Sequence, residues 1–329
     1  MMAEQQHIQL SIVIPLYNTE KDILQCLASI VQSGVDPTIY EVIIVDDGST
    51  DKSLSIVEDF SADRNNFRII KQQNQGVSRA RMNGVSAAKG NYVWFIDSDD
   101  YLVAGAVNTV LQLLERYPQL DVLVIQMQLY DERTGEKRIS PYAPAPESLI
   151  SGKEYMQRTP LIICPVQFII RLKMFENPDI CFPEGLRHED EYFSRVLQYN
   201  SEIMYVSPEL LYVYRQREGS YMQTPSIKAL YDMVGIYRLL SNFVQNNIDS
   251  NDREWFQRDI FSFLISSYFW FPHLILTAEF REFHRKNQRF IRRELRKSAR
   301  FLSPKTLCSD ILMLHFPRLF SALRLRGTF

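Results

Sequence analysis

The chain is short of glycine, cysteine and net charge, and each shortage excludes something. Its 329 residues hold only 12 glycines and 4 cysteines. So few glycines rule out a collagenous or glycine-rich low-complexity chain. Cys26, Cys164, Cys181 and Cys308 are scattered, with no Cys-x-x-Cys pair and no metal-ligand spacing, which suits a reducing compartment. Lys plus Arg number 37 against 39 Asp plus Glu, a formal charge of −2, which removes any general case for nucleic-acid binding. Long apolar runs are missing too. The longest, Ile260–Leu276, contains three serines, Pro272 and His273, and reads as a buried helix rather than a membrane span of about 20 residues. Met1–Leu10 is polar and leads at once into a strand pattern, so no secretory signal is expected and the location reads as cytoplasmic. At 46% hydrophobic and 23% charged residues, the remainder is ordinary globular composition rather than disorder.

The near-zero charge conceals an asymmetry. From Arg281 onward there are 13 Lys or Arg and 3 Asp or Glu, which leaves 24 basic and 36 acidic residues before it. An acidic body with a basic tail suggests that the tail meets an anionic surface such as the inner face of a membrane. A solvated helix face, or self-association through 256–329, accounts for the same composition.

What is there first is a repeating unit. Ile8–Ile14, Val42–Val45, Phe67–Ile70 and Tyr92–Ile96 are short apolar runs rich in β-branched and aromatic residues, the pattern of strands buried on both faces of a parallel sheet. Helical patterns separate them at Glu20–Gln32, Ser53–Phe60 and Val77–Ala88. Thr19 and Asp22 have the spacing of a capping box for the first of these. Alternation of this kind predicts a right-handed βαβ series in an α/β fold. Gly48 and Gly90 fall beside predicted strand ends, where a tight turn or close approach needs a residue without Cβ. A helix at about Ala104–Tyr117 and strands at Val122–Leu129 and Ile203–Val206 follow. Eight of the 15 prolines lie from Pro118 to Pro183, and Asp131–Pro160 reads as an irregular flap. From Ser226 the pattern is helical, with a basic amphipathic piece at Arg281–Arg300.

Open parallel sheets bind ligands at the carboxyl ends of their strands. Two of the predicted ends are acidic, Asp46-Asp47-Gly48-Ser49-Thr50-Asp51 and Asp97-Ser98-Asp99-Asp100. Turn and N-cap chemistry accounts for the first alone. Three carboxylates in four residues exceed what one cap uses. Asp-x-Asp at a strand end instead suits Mg²⁺ or Mn²⁺, which takes one or two carboxylates and leaves sites for phosphate oxygens. That points to a diphosphate-bearing substrate.

The series Pro15-Leu16-Tyr17-Asn18, Val45-Asp46-Asp47-Gly48-Ser49-Thr50-Asp51, Asn74-Gln75-Gly76-Val77-Ser78-Arg79-Ala80-Arg81 and Asp97-Ser98-Asp99-Asp100 resembles, in order, the motifs of family 2 glycosyltransferases. The likeness is strong over Ile8–Leu102, thinner to about Ser220 and absent beyond. It implies the GT-A fold, a mostly parallel sheet flanked by helices. The glycosyltransferase domain would span 1–225, with a nucleotide-sugar half at about 8–130 and an acceptor half at about 131–225. A helical, basic extension would occupy 226–329. By the same resemblance Pro15 and Ser98 border the nucleotide-sugar, Tyr17 packs on the base, and Asp47 or Asp46 bonds its edge. Asp97 lies near the ribose, Asp99 binds the metal bridging the diphosphate, and Asp97 and Asp100 supplement its shell. Arg81 sits beside this cluster, although Met82 stands where the family usually has Asn.

Arg187-His188-Glu189-Asp190-Glu191-Tyr192-Phe193 resembles the family's Glu-Asp motif, with Asp190 as catalytic base. On a helix, adjacent acids point apart, so at most one or two of the three reach one site. His188 reads as a surface or supporting residue rather than a metal ligand. Tyr214-Arg215-Gln216-Arg217-Glu218-Gly219-Ser220 resembles a later segment whose Arg215 and Arg217 would close over the diphosphate. The implied enzyme is an inverting glycosyltransferase of cell-surface polysaccharide synthesis. Its donor would be a UDP-sugar ahead of a GDP- or dTDP-sugar, and its acceptor a glycan or lipid-linked glycan. An Mg²⁺-dependent nucleotidyltransferase is disfavoured because Leu16-Tyr17-Asn18-Thr19 lacks the glycine-rich basic loop it needs. A catalytically silent sugar-nucleotide-binding subunit is disfavoured because both acidic motifs are intact.

Overall fold

A computed structural model of the chain describes residues 7–140, 149–217, 226–267, 274 and 277–298. The strands among them are β1 (Leu10–Leu16), β2 (Tyr40–Asp46), β3 (Phe67–Lys71), β4 (Tyr92–Phe95), β5 (Tyr101–Leu102), β6 (Val122–Asp131), β7 (Lys137–Ile139), β8 (Leu149–Ile150), β9 (Phe168–Arg171) and β10 (Met204–Gln216). The helices are α1 (Ile23–Val31), α2 (Ser53–Ser61), α3 (Val77–Ala87), α4 (Ala106–Arg116), α5 (Gly152–Arg158), α6 (Glu189–Asn200), α7 (Ile227–Asn247), α8 (Arg253–Ser267) and α9 (Ala278–Ser298). They fall into two compact units, one from Met1–Gly185 with Glu189–Glu218, the other from Leu186–His188 with Gly219–Phe329.

The first unit is built on one sheet of order β3-β2-β1-β4-β9-β6-β10-β5, with β7 on β6 and β8 on β10. Every residue of β1 and β2 is buried, which is why these strands carry unbroken apolar runs rather than an alternating pattern. From β1 the chain steps outward to β2 and β3, then returns to place β4 on the other side of β1, all in parallel. That reversal opens a crevice beyond the carboxyl ends of β1 and β4. The strand ends are level there, with Leu16 opposite Asp46 and Asp46 opposite Lys71.

The sheet is less parallel than the sequence pattern suggests. β9 runs antiparallel between β4 and β6, and β5, β7 and β8 also pair antiparallel. β10 continues well past the predicted Ile203–Val206, because register shifts beyond Val206 absorb Pro208, which has no N–H to give a ladder. The expected flap is partly ordered. Asp131 N–H donates to the Glu136 carbonyl around Gly135 at φ 72° to form the β6–β7 hairpin, and Ser151 Oγ caps α5 by accepting from Glu154 N–H. Residues 141–148 of that flap lie outside the described residues. The expected capping box does not form, since Asp22 precedes α1 without a side-chain cap bond.

In the second unit α7, α8 and α9 pack on one another. Leu230, Met233, Tyr237, Leu240, Phe256, Ile260, Phe261 and Leu264 are buried there. The expected apolar run is helical only to Ser267, and residues 268–273, 275 and 276 lie outside the described residues. No helix among the described residues is long and apolar enough to cross a membrane.

Gly90 shows what fixes the first strand pair. A Cβ there would lie 2.7 Å from Ser11 N and 2.8 Å from Leu10 C, so the turn before β4 is pressed against the β1 backbone. Gly90→Ala is expected to destabilise the chain by about 1–3 kcal/mol, read as a lower urea midpoint at unchanged m-value.

Candidate active site

The crevice beyond β1 and β4 collects the residues singled out from the sequence. Pro15 is a buried member of β1, and Tyr17, just past its end, is 48% exposed. Asn18, at φ 52°, turns the chain there, and its Oδ1 accepts from Thr50 N–H at 2.8 Å. The first two strand ends are thus tied together. Tyr17 is left with an open ring face beside the acidic loop of β2.

The two acids of that loop have different surroundings. Asp47 accepts from Gln72 Nε2 at 2.7 Å, Gln75 N–H at 2.8 Å and Gly76 N–H at 2.8 Å. Both of its oxygens are therefore taken up holding the loop that starts α3. Among the described residues Asp46 accepts from Ser49 N–H alone, through Oδ1. Of the two acids expected at the base edge, with Asp47 ranked first, Asp46 is the one with an oxygen not taken up by the loop.

The Asp97–Asp100 turn is not a helix cap, because β5 separates it from α4. Its three carboxylates point to three different partners. Asp97 Oδ1 accepts from Arg81 at 2.8 Å, and Asp99 Oδ2 from Arg217 at 2.8 Å. Asp100, only 1% exposed, accepts from Tyr212 Oη at 2.7 Å and Arg215 N–H at 2.8 Å. Asp100 therefore anchors β10 to the turn, and both of the oxygens expected to supplement a metal shell are engaged within the fold. Ser98 is buried as well, its hydroxyl bonded to Thr19 Oγ1 at 3.1 Å, so it supports the turn rather than lining the crevice. Burial, reinforced by the charge of Asp97, raises the Asp99 carboxyl above its ordinary range. Burial and the charges of Asp99 and Asp97 do the same to Asp100.

Three arginines offset this charge. Arg81, from α3, bridges Asp97 and Glu189 at 2.8 and 3.0 Å with a side chain only 6% exposed. Burial disfavours its charge, but Asp97 and Glu189 override it and hold the guanidinium ionised. Arg215 donates to the Asp99 carbonyl at 3.0 Å and pairs with Glu132 at 3.2 Å and Asp22 at 3.6 Å. Buried and engaged in this way, the arginine expected to close over a diphosphate buttresses the turn. Arg217 spans Asp22 and Asp99 at 2.6 and 2.8 Å and remains 34% exposed.

Across the crevice stands the start of α6, fixed by aromatic packing. Phe193 stacks on Phe182 at 3.9 Å and meets Phe95 of β4 edge-on at 6.2 Å; Arg81 lies over Phe182 at 5.0 Å. Of the three acids opening α6, Glu189 pairs with Arg81 and Glu191 with Arg195. Among the described residues Asp190 alone of the three forms no ion pair, and it accepts from Glu191 N–H at 3.0 Å. Burial, then the neighbouring charges of Glu189 and Glu191, raise its carboxyl well above the ordinary range. His188, at φ 62°, is buried, and burial with the charge of Arg187 lowers its pKa to about 4, so it is neutral at physiological pH. Cys26 and Cys164 are held protonated chiefly by burial, which offers no thiolate nucleophile.

The donor set fits a divalent cation only in part. Among the described residues no group of three or more His, Cys, Asp or Glu is arranged to hold a metal. Asp99, already matched to a positive charge and raised by burial, suits an ion that takes one protein carboxylate and draws its other ligands from phosphate and water. Sequence reasoning missed Tyr212, Asp22 and Glu132 as supports of the turn, since they lie far from it along the chain and carry no local signal.

A family model described as "Glycosyl transferase family 2" matches residues 11–177. Glycosyltransferase GlyG of Streptococcus pneumoniae serotype 4 is 31% identical over 228 residues, covering 65% of this chain and 73% of GlyG. The putative glycosyltransferase EpsH of Bacillus subtilis strain 168 is 30% identical over 264 residues, 78% of this chain and 74% of EpsH. The poly(ribitol-phosphate) beta-N-acetylglucosaminyltransferase TarS of Staphylococcus aureus is 28% identical over 243 residues, 73% of this chain but only 41% of TarS. The chain therefore spans less than half of that relative. The crystal structure of S. aureus TarS 1–349 in complex with UDP-GlcNAc superposes with a TM-score of 0.73 at 21% identity, covering 98% of this chain and 93% of that one. It shows a shared fold.

Arg81 is a cation shared by the two sides of the crevice, through Asp97 and Glu189. Arg81→Met leaves Asp97 and Glu189 facing each other without it, and is expected to cost about 3–5 kcal/mol of unfolding free energy. Adding Glu189→Gln should recover part of that loss, a coupling measurable by urea unfolding of the four members of the cycle.

Proposed function

The chain belongs to glycosyl transferase family 2, and from that premise we propose an inverting transferase that moves a sugar from a UDP-sugar to a hydroxyl of a cell-surface glycan. The carrying observation is that Asp190, alone among the acids of its motif, has no ion-pair partner among the described residues. It stands on a buried helix end across from the donor-side acids. A base so placed takes the proton of the acceptor hydroxyl as that oxygen attacks the anomeric carbon, and the nucleoside diphosphate leaves from the opposite face. A single base with no enzyme nucleophile gives one displacement and inverted stereochemistry. The raised carboxyl pKa brings Asp190 closer to the operating pH, where a general base is most effective.

On the donor side, Tyr17 offers a ring to the base and Asp46 Oδ2 accepts from its edge. The UDP-GlcNAc and UDP bound to S. aureus TarS support uridine as that base. Asp97, held by Arg81, borders the ribose. Asp99 is the residue that would hold Mg²⁺ or Mn²⁺, which when bound supplies positive charge to the departing diphosphate. Arg217 fills that electrostatic need otherwise; once released from Asp99 its guanidinium becomes available to the phosphates. Relatives that act on poly(ribitol-phosphate) support a polymeric surface glycan as acceptor. A nucleotidyltransferase reading finds no support, since no glycine-rich phosphate loop follows β1.

Nucleoside diphosphate release from UDP-, GDP- and dTDP-sugars, with Mg²⁺, Mn²⁺ or EDTA, tests this reading. Slow, metal-dependent hydrolysis of a UDP-sugar, lost in Asp99→Ala, is the expected result. Failure to bind any of the donors by calorimetry would refute it.

Asp190→Asn is expected to retain donor binding while losing on the order of 10²–10⁴ in kcat. In the parent enzyme Asp190 must be deprotonated to act, so kcat/KM should rise with pH on a limb above the ordinary aspartate value of about 3.9. A limb at or below that value, or one that persists in Asp190→Asn, would assign the base elsewhere.

A further inference from the structure

We propose that the solvent face of α9 is a docking strip for an anionic lipid surface, working through headgroup phosphates and without insertion of the helix. α9 has two faces with different fates. Phe280, Phe283 and Ile291 are buried. Phe283 meets Tyr231 of α7 edge-on at 4.9 Å, Phe290 meets Tyr237 at 5.7 Å, and the buried Glu294 accepts from Tyr237 Oη at 2.9 Å. The apolar side of this amphipathic helix is thus consumed inside its own unit. An interfacial helix that enters a bilayer leads with such a face, and this one has none left to offer.

The opposite face is cationic. Arg281, Arg285, Lys286, Arg289, Arg293, Arg296 and Lys297 are exposed there against Glu279 and Glu282. Glu282 takes Lys286 at 2.7 Å, while Glu294 takes Arg293 and Lys297 at 2.9 and 3.1 Å. Arg281, Arg285, Arg289 and Arg296 have no carboxylate partner among the described residues. At 3.6 residues per turn these four fall within an arc of roughly 80° and along about 22 Å of helix. A solvated face normally interleaves both signs, because like charges four residues apart destabilise a helix. Here four arginines share one arc with no carboxylate partner among the described residues, and an anionic surface supplies the complement.

The form of the strip selects the occupant. It is a straight ridge on the outside of a helix, with no aromatic residue on its exposed face to stack on a sugar or base. A ridge meets a plane of phosphates along its whole length, whereas a single polyanionic strand is gripped by a groove.

The test is co-sedimentation of the full chain with vesicles of phosphatidylcholine alone or mixed with phosphatidylglycerol, beside a variant carrying Arg281→Gln, Arg285→Gln, Arg289→Gln and Arg296→Gln. Binding to the mixed vesicles alone, abolished near 1 M salt where the Debye length is ~3 Å, is expected. At about fivefold per cation near an anionic leaflet, the variant with four fewer cations should bind roughly 600-fold more weakly, with an unchanged melting curve and unchanged donor hydrolysis. Equal binding to neutral vesicles, binding that survives high salt, or a variant that binds as well as the parent would each overturn the proposal. So would capture of soluble polyphosphate with no vesicle binding, which would assign the strip to a polymer instead.

Discussion

The rest of the active centre depends on one electrostatic constraint, the concentration of carboxylates where β1, β2 and β4 end. Asp46, Asp47, Asp97, Asp99, Asp100 and Asp22 share that edge, and all but Asp97 and Asp99 are buried there. Uncompensated, such a cluster would titrate to neutrality or unfold its surroundings. Each acid instead has a defined countermeasure. Backbone N–H groups hold Asp46 and Asp47, a tyrosine hydroxyl and a backbone N–H hold Asp100, and arginines hold Asp97, Asp99 and Asp22. The compensation is also a connection. The groups that neutralise the turn come from α3 and from the far end of β10, so charge balance and tertiary assembly are one arrangement.

Within that arrangement the acids divide into buried supports and open positions. Asp47, Asp100 and Ser98 are closed inward. Asp46 Oδ2, Asp99 and Asp190 keep either an unoccupied oxygen or an exchangeable partner. The division has a physical basis, since a group that must meet a ligand can retain only interactions it is able to give up. Arg217, at a third of its side chain exposed, is such a partner; Arg215, buried and engaged with Glu132, Asp22 and a backbone carbonyl, is not. Two neighbouring arginines with the same apparent sequence signal therefore have different roles.

α6 is positioned by a different force. Its first turn carries Glu189, Asp190 and Glu191 into a buried setting that like charges alone would disfavour. The stack of Phe193 on Phe182 against Phe95, with Arg81 laid over Phe182, supplies apolar contact and one shared cation. Ion pairs then absorb Glu189 and Glu191 and leave Asp190 unpaired. The same local division appears in α9, where two glutamates satisfy three of the exposed cations and Arg281, Arg285, Arg289 and Arg296 have no carboxylate partner among the described residues.

By itself the sequence determined the strand and helix series from β1 to α4, the acidic strand ends and the family they mark. Those features are local. Buried parallel strands write themselves as β-branched runs, and turn chemistry fixes where the runs end. It also determined that Asp190 belongs to an acidic motif opening a helix. Only the tertiary structure decided which of those acids remain open. Asp46 rather than Asp47, and Asp99 rather than Asp100, follow from partners such as Gln75, Gly76, Tyr212 and Arg215, which lie 28 to 115 residues away along the chain. The antiparallel insertion of β9 and the passage of β10 beyond Pro208 were decided there too, because a strand's neighbour and the tolerance of a proline in it depend on pairing. A carboxylate's identity is written in sequence; whether it supports the fold or faces a ligand is set by what the fold brings against it.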